Sequence, residues 1–231
     1  MRICVLDAST QVASVAMMEE GKLVYEANLI HGLTHSEKLM PLVEAAFTLT
    51  GWEPADVDVY GVVEGPGSFT GLRIGVATVK GLAQAAGKPV TGVGTLDVLA
   101  MNVPFFQGVT APILDARRGQ AYGALFHWHQ GRMVRETGDL AIPLEALLEE
   151  IEKRALPALF LGDGVPVHRE AIQQRLGSQA LFAPEGHRLQ RASSAALLVW
   201  ERAQAGLTQT AQSLTPRYVR ASNAKKAAWI K

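Results

Sequence analysis

Short apolar runs separated by polar turns fill the first thirty positions, and the period then lengthens to three or four residues. Ile3, Cys4, Val5 and Leu6 form a run that ends in the polar turn Asp7-Ala8-Ser9-Thr10. Residues 12–18 (VASVAMM) and 23–28 (LVYEAN) follow, with the turn EEGK between them. Three adjacent runs joined by short turns predict an antiparallel meander. Residues 36–50 (SEKLMPLVEAAFTLT) place Leu39, Leu42, Val43, Ala46 and Phe47 at helical spacing, with Thr34 or Ser36 as cap, Pro41 inside the window and Gly51 at its close. Residues 56–64 (DVDVYGVVE) read as a strand. After them come a glycine-rich loop, a helix from about Thr70 to Ala86 closed by Gly87, a short strand in KPVTGV and a helical TLDVLAMN.

The pattern then restarts. TAPILD, QAYGALFHWH and RMVRETGDL read as three strands, PLEALLEEIEKR as a helix, PALFLGDG as a strand and VPVHREAIQQRLG as a helix. One more helix, SSAALLVWERAQAG, is closed by Gly206. The order βββαβα occurs twice without a repeated sequence, which predicts an α/β protein of two mixed sheets with packed helices. Two such lobes in tandem are the duplicated ribonuclease-H-like, actin-like architecture. The expected division is an N-terminal lobe over 1–105, a C-terminal lobe over 106–215 and a basic tail over 216–231, with PFFQG as the linker.

Composition narrows the classes. The chain has 231 residues, 48% of them hydrophobic, enough for a sizeable core. Lys plus Arg and Asp plus Glu both number 22, and a zero net charge argues against a protein that grips nucleic acid unaided. A single cysteine, Cys4, excludes a disulfide framework. The N-terminus lacks the basic-then-apolar layout of a signal peptide, and no apolar run reaches the ~18 residues of a membrane span, so a cytoplasmic location is expected.

The stretch GPGSFTGLRIG, residues 65–75, invites comparison with phosphate loops. The Walker pattern fails because Leu72 stands where its lysine belongs, and the dinucleotide fingerprint fails because Thr70 replaces its third glycine. The local chemistry leaves two readings: a tight turn capped by Ser68 or Thr70, and an anion-binding helix N-terminus. Gly71, Gly75 and Gly81 fall inside the following helix, each costing about 1 kcal/mol relative to alanine. Gly71 and Gly75 share one face with Thr78, Leu82 and Ala85. Leu72, Val76, Val79, Ala83 and Ala86 make a second stripe. A helix apolar on two faces is expected to be buried on two sides, one against its own sheet and one against a partner.

GPGSFTGLRIG, the helix VATVKGLAQA and KPVTGVGTLDVLA closely resemble the signature of the TsaB family, and the DAST turn, THSEKLMPLV, LDARRGQAY and PRYVR match it in order to near residue 220. This resemblance implies a dimerisation subunit of the bacterial machinery that makes threonylcarbamoyladenosine next to the anticodon of tRNAs. The implied partners are TsaD and the ATPase TsaE, with a homodimer when alone, tRNA met only through the complex, and no membrane. The implied contact lies on the helices near 36–50 and 70–86, with Leu39, Leu42, Val43, Ala46, Gly71, Leu72, Gly75, Val76 and Val79 as interface residues. Gly65, Pro66, Gly67, Ser68, Phe69 and Thr70 form the signature loop. Gly75→Leu is therefore expected to fold and fail to pair. The catalytic paralogue TsaD carries a His-x-x-x-His metal pair whose positions align here with Thr95 and Leu99, flanking Asp97, so the resemblance implies a non-catalytic chain. It implies no cofactor for the chain alone, with ATP or ADP only in the assembled complex. The superfamily's nucleotide positions correspond to Asp7 and Ser9, where Ser9 replaces a glycine, and to Gly162 and Gly164 around Asp163. The competing reading is a stand-alone enzyme, a kinase-like ATP user or an M22-type metallopeptidase.

Other candidates are weaker. His31 with His35, and His127 with His129, have metal-like spacing but lack a third ligand, and no metal is expected. Asp115 with Arg117 and Arg118 reads as a structural ion pair. Ser68 has no visible triad partner. Arg217, Arg220, Lys225, Lys226 and Lys231 make the tail basic.

Overall fold

The computed structural model describes residues 1–30, 35–117 and 119–219. His31, Thr34, Arg118 and the tail residues Arg220, Lys225, Lys226 and Lys231 fall outside them. The meander forms as expected: β1 (Arg2–Asp7), β2 (Ala13–Glu19) and β3 (Lys22–Leu29) pair antiparallel. After α1 (His35–Thr50), β4 (Val59–Gly65) lies parallel to β1. After α2 (Phe69–Ala86), β5 (Val90–Gly94) lies parallel to β4. The strand order is β3-β2-β1-β4-β5. Pro41 is accommodated within α1.

The second half repeats this order. After α3 (Thr95–Ala100) come β6 (Val109–Asp115), β7 (Gln120–Gly123), β8 (Phe126–His129), β9 (Arg132–Arg135), β10 (Leu140–Pro143) and α4 (Leu144–Glu152). β11 (Ala158–Leu161), α5 (Val165–Leu176) and β12 (Ala180–Phe182) follow. Its main path, β10-β7-β6-β11-β12, has the same plan as the first sheet. The expected strand QAYGALFHWH splits into β7 and β8, while RMVRETGDL is a strand only at its start, β9, and β10 begins at its last residue, Leu140. Both β7 and β8 pair with β6 in one register, and the gap between them falls opposite Pro112, which has no N–H to offer the ladder.

The expected lobe boundaries need correction. One compact unit comprises Met1–Val98 together with Gln190–Arg217, and the other is built on Leu99–Leu189. The division falls inside α3 rather than in PFFQG. After the short α6 (Glu185–Arg188), helix α7 (Ala192–Gln204) belongs to the first unit rather than the C-terminal lobe. The reason is apolar matching. β1, β2 and β4 are buried on both faces, and α1 with α2 cover only the Cys4, Leu6, Val15 and Met17 side. The opposite side, Ile3, Val5, Ala16, Met18, Val59 and Val63, is closed by Ala192, Ala195, Ala196 and Val199 of α7. The N-terminus of α7 is anchored on β3, where Glu26 accepts hydrogen bonds from Ser193 N at 2.9 Å and Arg191 Nη2 at 3.1 Å, and Asn28 Oδ1 accepts from Ala192 N. Burial alone would raise the Glu26 carboxyl, but hydrogen bonds involving Asn28, Ser193 and Arg191 outweigh it and hold it at about 2. Among the described residues, no helix is long and apolar enough to cross a membrane.

Candidate functional site

The glycine loop is a backbone clamp. A Cβ on Gly67 would overlap the carbonyl oxygen of Ser9, one on Gly71 the carbonyl oxygen of Ala8, and one on Gly65 that of Arg217. Gly65 also sits at φ +127°, a conformation side chains rarely adopt. Ser68 N donates to Ser9 O at 2.7 Å, and the Ser68 hydroxyl accepts from Gly71 N as the cap of α2. Of the two readings left open by the loop's composition, the capped turn is the one that forms, and the amide of Ser68 is spent on the turn after β1. Thr70 is exposed, and Phe69, about half exposed, lies under the Arg73 guanidinium at 3.8 Å.

This clamp closes over the expected nucleotide turn. Asp7 and Ser9 are 1% and 0% exposed, so neither side chain faces solvent. Asp7 Oδ1 accepts from Ser9 N at 2.7 Å, but burial pushes the carboxyl up to about 6. A raised acid contributes stability that is complete below the unfolded pKa near 4 and is lost as pH rises through 6. Asp7→Asn keeps the bond to Ser9 N and removes this charge. Between pH 4 and 7 the parent's unfolding free energy should fall relative to that of Asp7→Asn by up to about 3 kcal/mol, read by urea titration of both at each pH. Gly162 and Gly164 also meet backbone rather than open space, packing on Ile113, Leu114 and Asp115. Between them, Asp163 Oδ1 accepts from Asp115 N, and burial raises its carboxyl.

The expected interface residues mostly point inward. Leu39, Val43, Ala46, Val76 and Val79 are buried in the first unit's own core, with Leu42 packed against it, and Leu72 is buried as well. Gly71 and Gly75 face Ala8 and, for Gly75, Val62 as well. The stripe from Leu72 to Ala83 and the Gly71 and Gly75 end of the other face therefore serve the helix's own lobe, because the β1 turn as well as the sheet packs on the helix. Gly75→Leu would strike Val62 and Ala8, so it tests folding rather than pairing. The outward surface is made of Met40, Glu44 and Thr48 on α1 and Arg73, Ala77, Gly81 and Ala85 on α2. A Cβ on Gly81 would meet nothing within 4 Å. A groove of about 510 Å³ opens on this side, floored by Val43, Phe47, Trp52 and Leu82 and flanked by Glu44 and Glu53. The four-residue spacing of Ala77, Gly81 and Ala85 is the sequence signal that marks this face.

The remaining candidates resolve locally. Thr95 and Leu99 are fully buried, and no group of three His, Cys, Asp or Glu side chains suited to a metal occurs among the described residues. His35 Nε2 bonds Thr10 O at 2.5 Å. His127 Nδ1 bonds Glu136 at 2.8 Å, and the His127 and His129 rings stand 6.1 Å apart. Asp115 Oδ1 accepts from Arg117 N, a turn bond rather than an ion pair between these two side chains. Composition and spacing gave no warning of one further contact: Arg217 reaches Gly65 O and approaches Asp97.

Two sheets of one strand order, each with parallel and antiparallel neighbours and packed helices, define a duplicated ribonuclease-H-like α/β protein. The family described as TsaD, tRNA N6-adenosine threonylcarbamoyltransferase, matches residues 30–228. Across its whole length the chain is 32% identical to the tRNA threonylcarbamoyladenosine biosynthesis protein TsaB of Bacillus subtilis (strain 168), covering 98% of that protein. The TsaB of Escherichia coli (strain K12) is 34% identical over 137 residues, 56% of this chain and 59% of that one. Among solved structures, YeaZ from Pseudomonas aeruginosa superposes with a TM-score of 0.80 at 26% identity, covering 94% of this chain and 99% of that one. A second Pseudomonas aeruginosa structure, an uncharacterized protein with similarity to peptidase YEAZ, gives 0.82 at 27% identity, with 95% and 99% covered. The chain belongs to the TsaB family, within the broader TsaD group.

Proposed function

We propose that this chain serves tRNA threonylcarbamoyladenosine biosynthesis as a non-catalytic pairing subunit. It binds TsaD through the outward face of α1 and α2, TsaE joins the pair, and tRNA is met only through the complex. Alone, the same face joins two copies. The observation that carries this reading is the contrast between the two ends of the glycine-loop helix. The loop end is closed over Asp7 and Ser9, while α2 leaves Ala77 and Gly81 open, and a separate groove between α1 and Leu82 of α2 is floored by Val43, Phe47 and Trp52. Small residues there let a second helix approach closely, and an apolar groove of this size favours a covering partner. ATP or ADP belongs to the assembly rather than to this chain alone.

The test is the solution mass of the chain, alone and mixed with TsaD of the same organism. A homodimer that converts to a one-to-one heterodimer is expected. A monomer indifferent to TsaD would overturn the proposal, as would ATP hydrolysis or chelator-sensitive peptidase activity of the isolated chain. Those activities belong to the competing enzyme reading, which Thr95 and Leu99 at the paralogue's metal positions disfavour.

A further inference from the structure

The chain that leaves α7 returns along the first unit as a strap, residues 207–217. Thr91 Oγ1 donates to Leu207 O at 2.8 Å, and Val90 and Gln209 exchange two backbone hydrogen bonds. Ala211 and Leu214 insert into the core shared with α2. Lys80, on α2, donates to Gln212 O at 3.1 Å and Leu214 O at 3.0 Å. The strap ends at Arg217, whose N donates to Glu64 O at 2.7 Å and whose Nη2 donates to Gly65 O at 3.1 Å, with Asp97 Oδ2 at 4.0 Å.

Two glycines make room for this clasp. A Cβ on Gly65 would overlap Arg217 O, and one on Gly94 would overlap the Arg217 guanidinium and the Asp97 carboxylate. Gly65 is the last residue of β4, and only Pro66 and Gly67 separate it from Ser68, the cap of α2. The guanidinium therefore fixes the point from which α2 departs, and Lys80 fixes the same helix at its centre. One strap is thus tied both to α2, at Lys80, and to the end of β4 that leads into it, at Gly65.

We propose that Arg217 is a positioning residue for partner binding: by clasping Gly65 and Asp97 it sets the orientation of α2, and hence of the face carrying Arg73, Ala77 and Gly81. This rests on the pairing function proposed above. Arg217 touches no partner in this scheme; it acts through the loop.

The experiment compares the full chain with Arg217→Ala and Arg217→Lys, measuring homodimer and TsaD affinity by sedimentation, amide exchange of residues 65–74 and thermal midpoint. Losing a charge-assisted bond should weaken pairing about tenfold in Arg217→Ala and speed exchange at the loop. Arg217→Lys should recover part of both, since an ammonium still meets Gly65 O and Asp97. Parental affinity in Arg217→Ala would overturn the inference. So would an affinity loss that follows the thermal midpoint with no change in loop exchange, because that marks a purely structural role. If the parent chain itself pairs with neither copy nor TsaD, the pairing function falls and this inference with it. If the parent pairs and Arg217→Ala pairs equally well, only the inference falls.

Discussion

Replacing Gly71 by alanine is expected to destabilise the first unit by about 3 kcal/mol or more, while the same change at Gly81 stabilises it by up to about 1 kcal/mol. Both glycines lie in α2, so both lose the helix penalty of glycine. They differ in what the added methyl meets. At Gly71 it overlaps the carbonyl oxygen of Ala8, a backbone atom held in place by β1, with the His35 ring also close by. Neither helix nor strand can yield without disturbing Val76 in the core and the buried Leu72 next to Gly71. At Gly81 the methyl enters open space. Urea denaturation of the two variants should move the midpoint in opposite directions. A neutral Gly71→Ala would mean that the β1 turn and α2 are not in backbone contact.

Gly81→Arg should leave the fold intact and weaken pairing, with itself or with TsaD, by roughly a hundredfold, about 3 kcal/mol. The site tolerates bulk within the chain, so circular dichroism and thermal midpoint should stay near the parent's. A helix that must approach over Ala77 and Gly81 would instead meet a long charged side chain where the chain now leaves open space. Sedimentation of the variant should show a monomer. Undiminished pairing would move the partner surface away from α1 and α2.

Much of this architecture could be read from the sequence because each strand and helix carries its own signal. The alternating runs of β1 to β3, the αL glycine that closes α2 at Gly87 and the repeated element order all rest on neighbours within a few residues. What escaped depends on distant partners. The apolar stripe of α7 looks the same whichever sheet it covers, and its assignment to the first unit follows from Ile3, Val5 and Met18, nearly two hundred residues earlier. β12 has three residues, too few to show a period. Helical spacing located α1 and α2 as elements and the family resemblance placed the partner contact on them, but an apolar stripe is core before it is interface. Leu39, Val43 and Val79 lie in the first unit's own core, and the open surface lies with alanines and a glycine that carry little hydrophobic signal. The clasp of Arg217 on Gly65 spans 152 positions and leaves no local pattern.

The return of residues 190–217 to the first unit also bears on biosynthesis. A ribosome delivers Leu99–Leu189 in full before it delivers the helix that completes the first sheet. The unit begun first is thus the unit finished last, and the sheet surface of Ile3, Val5, Ala16 and Val63 must wait uncovered while the second half emerges. A nascent chain stalled or cut before Ala192 would expose that surface and is a natural client for chaperones, whereas one that has cleared residue 217 can bury it at once.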